Sequence, residues 1–283
     1  MAIDHAVPRG TVTAQLSFYQ PPADGSAPYN NVDGVARGLP DRNYGDNWQP
    51  VTIQDARGRE DAFSLDHDAF QIVRHVQPSA ETAFAEDASI QAKYYPEVEK
   101  LLLDTIPGAN RVFLFDHTVR RADPSASRKP VTRTHIDQTA VSAAMRVRRH
   151  MGDDAEALLR GRYRIVNVWR PLNRGPVESF PLAFASSSTL CARDVISVEH
   201  HYESGYNGYT AAIQHDPEQK WYYLSGMTGD ERLLLECFDS EVLKLGDEAT
   251  LGKLAHTAFE HPGTLPGAEG RESIEVRALV FGN

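Results

Sequence analysis

The chain has 283 residues, of which 29 are basic and 39 acidic, so its formal net charge is −10. This acidic balance argues against general affinity for nucleic acid or for anionic membranes. No apolar run approaches the roughly 18 residues that a membrane-spanning helix needs, and the N-terminus has no apolar signal-like stretch. We therefore predict a cytoplasmic protein that acts on a small molecule. At this length a single domain is the default expectation.

The first 50 residues contain one predicted strand and a long polar stretch. Between residues 11 and 18, apolar side chains alternate with polar ones, which predicts a strand. Residues 21–50 are rich in Gly, Pro, Asn and Asp, which favours an irregular course. The sequence thus predicts that residues 1–50 form a largely irregular segment packed on the domain, with a second strand beginning at Val51.

The remaining chain is predicted to be mainly β, with two flanking helices. Apolar residues at helical spacing predict a helix over 89–105, ended by Pro107 and Gly108. A second helix is predicted over 141–159, with a break near Gly152. Many short strands beside a few helices indicate a β-sandwich or jelly roll with helices packed outside. The predicted strands cover 70–73, 111–120, 163–169, 180–184, 221–224, 233–238 and 273–281.

His135 and Asp137 form the first candidate site. They lie two residues apart in a locally strand-like sequence, so their side chains point to the same face. An imidazole and a carboxylate in this arrangement supply two of the three ligands in a 2-His-1-carboxylate triad, the arrangement typical of non-haem Fe(II) oxygenases. The same two residues also fit an ordinary polar surface pair.

A third ligand must come from further along the chain. His256 is the preferred candidate, because Arg271 and Arg277 follow it and an arginine could receive the distal carboxylate of 2-oxoglutarate. The alternation of residues 271–277 fits a solvated strand face equally well. Three other histidines compete for the same role: His200, His201 and His215.

Several short motifs in this order give the chain a recognisable pattern. It resembles a family of iron- and 2-oxoglutarate-dependent oxygenases of microbial specialised metabolism. That family includes the fungal gibberellin desaturase, the cephamycin methoxylation component and a fungal meroterpenoid endoperoxide-forming enzyme. The motifs are YPEV (95–98), FDHTVR (115–120), HIDQT (135–139), NVWRP (167–171), PLA (181–183), HTAF (256–259) and RESIEVR (271–277).

The resemblance implies a double-stranded β-helix (jelly roll) forming a single oxygenase domain over residues 1–283. It also implies that His135, Asp137 and His256 bind Fe(II), with 2-oxoglutarate as cosubstrate and O₂ as oxidant. Either Arg271 or Arg277 would bind the 2-oxoglutarate C5 carboxylate. The other arginine is then left for a substrate carboxylate or for an ion pair with Glu275.

Other positions receive roles from the same resemblance. Asn167 and Arg170 are expected to line the cofactor cavity, and Asp239 would be the acidic turn residue that precedes the distal histidine. Tyr206 and Tyr209, in a glycine-rich stretch, are candidates for a lid over the substrate. No catalytic residue is assigned beyond the metal ligands.

The implied function is oxidation of a small specialised metabolite, by hydroxylation, desaturation or ring formation. Two alternatives stay open at this stage. One is a non-catalytic metal-binding jelly roll that acts as the partner of a methyltransferase or another biosynthetic enzyme. The other is an iron oxidase that does not use 2-oxoglutarate. The sequence also leaves open a homodimer.

Overall fold

The computed structural model describes residues 7–34, 38–122, 130–205, 207–244, 246 and 252–282. Within these residues, strands are the dominant element. Their bounds are β1 Val12–Gln20, β2 Tyr29–Asn31, β3 Gly45–Asp55, β4 Phe70–Val73, β5 Ala109–Arg120, β6 His135–Ile136, β7 Arg162–Pro171, β8 Leu182–Ala185, β9 Val195–His201, β10 Asn207–Ile213, β11 Trp221–Tyr223, β12 Arg232–Asp239, β13 His256–Ala258 and β14 Ser273–Gly282.

The strands described form two sheets that pack face to face. One has nine strands in the order β1-β3-β11-β8-β13-β6-β10-β9-β2, and the other has five in the order β4-β12-β7-β14-β5. Phe70 of the smaller sheet meets Phe184 of the larger one, with ring centroids 4.5 Å apart. Burying such aromatic rings between the layers is a large favourable term. Facing sheets with outer helices are the arrangement predicted from the sequence.

The helices lie outside the sheets, as predicted. The first long helix runs through a π-helical turn, Ile90–Tyr94, into α3 (Tyr95–Thr105). The second, α4 (Ala140–Met151), carries a capping box between Thr139 and Ser142. Gly152 ends α4 with φ +53°, a conformation that glycine adopts readily, so the predicted break is confirmed. The helices are α1 Leu65–Asp68, α2 Asp87–Ser89, α3 Tyr95–Thr105, α4 Ala140–Met151 and α5 Ala155–Leu158. None of the described helices is long and apolar enough to cross a membrane.

The N-terminal segment is more regular than its composition indicates. β3 begins at Gly45 rather than Val51, and β2 joins the far edge of the large sheet beside β9. The expectation of an irregular course up to Pro50 is therefore wrong for residues 29–31 and 45–50. Pro50 is tolerated because β11 pairs only with the end of β3, from Ile53 onward, so the missing N–H faces no partner strand.

A buried ionic cluster lies where β7 and β12 run side by side. Arg164 is within ion-pair distance of Asp66, Glu236 and Asp239, and Arg162 also pairs with Asp66 and Asp239. Burial raises the pKa of Glu236 well above its usual value, and the nearby Arg164 offsets only part of this effect. With Glu236 protonated, two arginines balance two carboxylates.

We expect Arg164 and Glu236 to differ sharply in their contribution to stability. Arg164→Met leaves buried carboxylates under-compensated and should lower the free energy of unfolding by about 3 kcal/mol, measured by urea denaturation. Glu236→Gln replaces the protonated carboxyl group by an amide, so the side chain stays neutral at every pH. Because the folded-state pKa of Glu236 is raised, its stabilising contribution is lost as pH increases through that pKa. The Gln variant should therefore match wild type at a pH below the usual Glu pKa of about 4.3 and exceed it at alkaline pH. A loss at both pH values as large as that of Arg164→Met would show that Glu236 is ionised in the fold.

Candidate metal centre

Two histidines face each other across neighbouring strands. His135 on β6 is the direct antiparallel partner of His256 on β13, and their ring centroids are 4.3 Å apart. Directly opposed residues on antiparallel strands share one face of the sheet, so strand pairing alone brings these imidazoles together. His256 is 4% exposed and lies deeper than His135.

Asp137 completes the group just beyond the end of β6. Its Oδ1 lies 3.3 Å from Nε2 of His135 and 4.0 Å from Nε2 of His256. One donor atom from each of the three residues lies within 4.8 Å of the others. Two imidazole nitrogens and one carboxylate oxygen are the donor set of a facial triad, so the residues present fit a non-haem Fe(II) ion.

Hydrogen bonds on the far side of each ring leave the Nε2 lone pairs available. Nδ1 of His135 donates to the carbonyl of Arg133 at 2.8 Å, and Nδ1 of His256 donates to the carbonyl of Leu254 at 3.3 Å. A carbonyl can only accept, so the proton is on Nδ1 in both rings. Burial, with the proximity of His135 as the next cause, lowers the pKa of His256 to about 4, so His256 is neutral at pH 7.

The second oxygen of Asp137 is held by two neighbours. Oδ2 accepts a hydrogen bond from Nδ2 of Asn167 at 2.8 Å and lies 3.5 Å from Nε of Arg277. Burial raises the pKa of Asp137, but the neighbouring His135 and the charge of Arg277 outweigh it and hold the pKa well below the usual value. Asp137 is therefore an oriented carboxylate with Oδ1 directed to the histidines.

The two C-terminal arginines have different surroundings. Arg277 forms ion pairs with Asp116 at 3.0 Å, with Glu275 and with Asp137. Burial lowers the pKa of Arg277, but the three carboxylates outweigh that effect and raise it. The pairing with Glu275 is one of the two roles expected for whichever arginine does not bind the cosubstrate.

Arg271, by contrast, has no ion-pair partner among the described residues. It is 4% exposed, its Nη1 donates to the carbonyl of Phe180 at 2.8 Å, and its Nε is enclosed without any hydrogen bond. Burial, followed by the nearby charge of Arg120, lowers the pKa of Arg271 to about 9. A buried cation without a counter-ion is costly, which is typical of a site that awaits an anion.

The side chain of Arg271 lies on the same side of the small sheet as the triad. Its guanidinium carbon is 5.5 Å from the ring centroid of Trp169. Trp169 and Asn167 are two residues apart on β7 and so point to one face, about 7 Å apart along the strand. Since Asn167 contacts Asp137, the uncompensated arginine and the triad share this face.

Arg170 is not brought to the triad. It lies three positions after Asn167 on the same strand, and alternation along a strand therefore turns it to the opposite, helix-covered face. There its guanidinium carbon lies 5.0 Å from the ring centroid of Phe84 and 5.6 Å from that of Tyr94. The expectation that Arg170 lines the cofactor cavity is not supported, because strand parity separates it from Asn167.

Several other sequence candidates have partners outside the triad. Asp239 belongs to the ionic cluster with Arg162 and Arg164. The hydroxyl of Tyr209 is 3.4 Å from Glu199, and Tyr206 lies outside the described residues. The competing histidines have other partners: His200 contacts Asn30 and Thr210, His201 stacks on Tyr29, and His215 packs on Phe18.

A cavity of about 240 Å³ opens onto His135 and Asp137. Most of its wall was not identified from the sequence, because it comes from strands that are distant along the chain. Only Arg133 could have been placed in the wall from local sequence, since it precedes His135 by two residues and so shares its face. The other wall residues include Phe18, Tyr19, Asn30, Tyr44, Arg120, Val131, His200, Thr210, Ala211 and Ala212.

Comparisons with known proteins agree with this geometry. A family model described as an oxidoreductase/YMDC permease-like domain matches residues 16–281. The hydroxylase/desaturase poxK of Penicillium oxalicum is 36% identical over 97% of this chain and 92% of that protein. The Fe(II)/2-oxoglutarate-dependent dioxygenase nvfI of Aspergillus novofumigatus is 34% identical over 83% of this chain and 85% of that protein.

A solved structure of the iron and α-ketoglutarate-dependent endoperoxidase NvfI superimposes with a TM-score of 0.87 at 30% identity, covering 98% of this chain and 99% of that one. The jelly-roll fold predicted from the sequence is therefore confirmed. Taken together, the triad geometry and these matches show that the chain belongs to the family of Fe(II)/2-oxoglutarate-dependent oxygenases, with relatives in fungal specialised metabolism.

Proposed function

We propose that this protein oxidises a C–H bond of a small specialised metabolite, using Fe(II), 2-oxoglutarate and O₂. The observation that carries the proposal is the convergence of two histidines and a carboxylate on the same side as a buried arginine that has no counter-ion among the described residues. When bound, Fe(II) and 2-oxoglutarate supply the oxidising power, with succinate and CO₂ as the by-products.

His135, Asp137 and His256 are assigned as the metal ligands. The hydrogen bonds from Nδ1 to backbone carbonyls keep each imidazole in the tautomer that offers Nε2. Asn167 and Arg277 occupy Oδ2 of Asp137 and so reserve Oδ1 for the metal. In this assignment Asn167 acts on the metal ligand and does not touch the cosubstrate.

Arg271 is assigned to the C5 carboxylate of 2-oxoglutarate. Its planar guanidinium suits a carboxylate, and the ligand would supply the missing counter-charge. Arg277 is a weaker candidate because three carboxylates already compensate its charge. This difference also disfavours an iron oxidase that works without 2-oxoglutarate, since such an enzyme has no use for a buried, unpaired cation.

The cavity beside His135 and Asp137 is the proposed substrate site. Its position next to the metal ligands, and its mixture of aromatic, aliphatic and polar walls, support binding of a small organic molecule. A non-catalytic metal-binding partner protein would need neither this cavity nor an anion-binding arginine such as Arg271. The single-domain organisation, the cytoplasmic location and the homodimer stay predictions.

Loss of a proposed metal ligand should abolish the spectroscopic signature of the loaded centre. Anaerobic addition of Fe(II) and 2-oxoglutarate to the wild type is expected to give a weak visible metal-to-ligand charge-transfer band. His135→Ala should lose the band, because one of three protein ligands is gone. His67→Ala is the matched control, since that histidine is largely exposed at the surface. A band of equal intensity in His135→Ala would contradict the assignment.

Substitution of Arg271 should chiefly weaken 2-oxoglutarate binding, whereas substitution of Arg277 should chiefly weaken metal binding. Arg271→Met is expected to raise the dissociation constant for 2-oxoglutarate about 100-fold, since a charge-assisted carboxylate contact is lost. Arg271→Lys should recover part of this loss. Arg277→Met should chiefly weaken Co(II) binding, because it removes the ion pair that orients the Asp137 carboxylate. Titrations of 2-oxoglutarate at saturating metal, and of metal alone, measure the two effects. The opposite pattern would exchange the roles of the arginines.

Asn167→Leu tests whether the orientation of Asp137 matters for metal binding. Removing the hydrogen bond to Oδ2 should weaken Co(II) binding about 10- to 100-fold, as for other groups that orient a metal ligand. The dissociation constant for 2-oxoglutarate at saturating metal should change far less. If metal affinity is unchanged while 2-oxoglutarate binding falls, Asn167 contacts the cosubstrate instead.

A further inference from the structure

A chain of hydrogen bonds runs along one wall of the cavity beside the triad. The hydroxyl of Tyr44 donates to Oδ1 of Asn30 at 3.0 Å, and Nδ2 of Asn30 lies 3.0 Å from Nε2 of His200. The hydroxyl of Thr210 lies 2.9 Å from the same nitrogen. All four residues line the cavity. The N-terminal segment, through Asn30 and Tyr44, therefore helps to build the wall.

This chain fixes the tautomer of His200. The Nδ2 amide group of Asn30 can only donate, so Nε2 accepts and the ring proton is on Nδ1. Burial lowers the pKa of His200, which agrees with a neutral ring. Nδ1–H has no hydrogen-bond partner among the residues that the structure describes. His200 consequently offers a donor to a molecule in the cavity.

The charged groups of the cavity wall are also mostly donors. Arg133 lies two residues before His135 and lines the same cavity, and in the described part of the chain it forms no ion pair. Arg120 is a second guanidinium in the wall. The described lining contains one carboxylate, that of Asp137, and Asn167 and Arg277 hold its outer oxygen. The cavity therefore favours a group that accepts hydrogen bonds and carries negative charge.

The rest of the lining is apolar or aromatic. Val131 and Ala212 contribute side chains without polar atoms, and Tyr19, which packs with Ala212, adds an aromatic ring. Such surfaces suit the hydrocarbon body of a ligand. A cavity of about 240 Å³ limits that body to a small molecule or to one part of a larger one.

We propose that the substrate is a small carboxylic acid whose carboxylate is bound by Arg133 and His200 while its apolar body lies against the Tyr19 and Ala212 side of the cavity. A planar carboxylate matches the fork of a guanidinium and accepts a further hydrogen bond from an imidazole N–H. The proposal rests on the proposed oxygenase function and adds the class of substrate. It assigns Arg133 and His200 as specificity-determining residues.

A matched pair of probes tests the substrate class without knowledge of the natural substrate. Cyclohexanecarboxylate and cyclohexanecarboxamide have nearly the same shape but differ in charge. Each is titrated anaerobically by calorimetry into protein loaded with Fe(II) and saturating 2-oxoglutarate, so that the Arg271 site is already filled. The wild type should bind the acid about 10- to 100-fold more tightly than the amide, the range expected for hydrogen bonds to a charged group.

Variants identify the groups responsible. Arg133→Met should reduce the preference for the acid to within about threefold, whereas Arg133→Lys should keep most of it because the charge remains. His200→Phe should weaken binding of both probes through the lost donor. Arg193→Met removes an exposed arginine that pairs with Asp216 on the surface, and it should leave both affinities unchanged.

Three results would overturn the substrate class. They are equal binding of acid and amide by the wild type, a preference that survives in Arg133→Met, and a preference lost in Arg271→Met but not in Arg133→Met. The charge-transfer band of the loaded wild type separates this failure from failure of the enzyme function. If the band forms and the preference is absent, only the substrate class is wrong. If no band forms, the oxygenase proposal itself fails.

Discussion

The pairing of His135 with His256 is the constraint on which the site depends. β6 is only two residues long and lies between β13 and β10 in the large sheet. A shift of one residue in either pairing would turn one imidazole to the other face, because side chains alternate along a strand. The larger sheet therefore fixes the register of a very short strand, and Asp137 follows that strand into place. The smaller sheet contributes Asn167 and Arg277, so the centre needs both layers of the sandwich to be packed together.

Arg271 and Arg277 look alike in the sequence but differ in how their charges are compensated. Arg277 lies among Asp116, Asp137 and Glu275 and stabilises buried carboxylates within the folded protein. Arg271 is more deeply enclosed, and it contacts a carbonyl and an aromatic ring. An enclosed cation without a counter-ion lowers the stability of the empty protein, and a bound anion would recover that loss. In the proposed assignment, the same residue type supports the fold at one position and ligand binding at the other.

Local patterns in the sequence predicted much of the centre. The spacing of His135 and Asp137 and the break at Gly152 depend on periodicity or on single-residue conformational preference. His256 was predicted from the arginines that follow it and from the resemblance to a known family. Local patterns are insufficient where strand parity or long-range pairing decides which residues meet. Asn167 and Arg170 belong to one motif, yet three residues along a strand place them on opposite faces. β3 has the composition of a loop because one of its faces is exposed and part of one edge is unpaired. The cavity wall depends on contacts between residues more than a hundred positions apart, which no local pattern contains.

The parallel pairing of β2 with β9 has a consequence for how such an enzyme can diversify. This three-residue strand at the edge of the sheet brings Asn30 to His200, while the metal ligands lie on interior strands. Replacing the loop that carries β2 would reshape the substrate wall and leave the triad and its supporting residues in place. This part of the cavity wall and the triad are therefore encoded in separable parts of the chain. New substrates could therefore be acquired by exchange of an N-terminal segment, without first passing through a form that binds no metal.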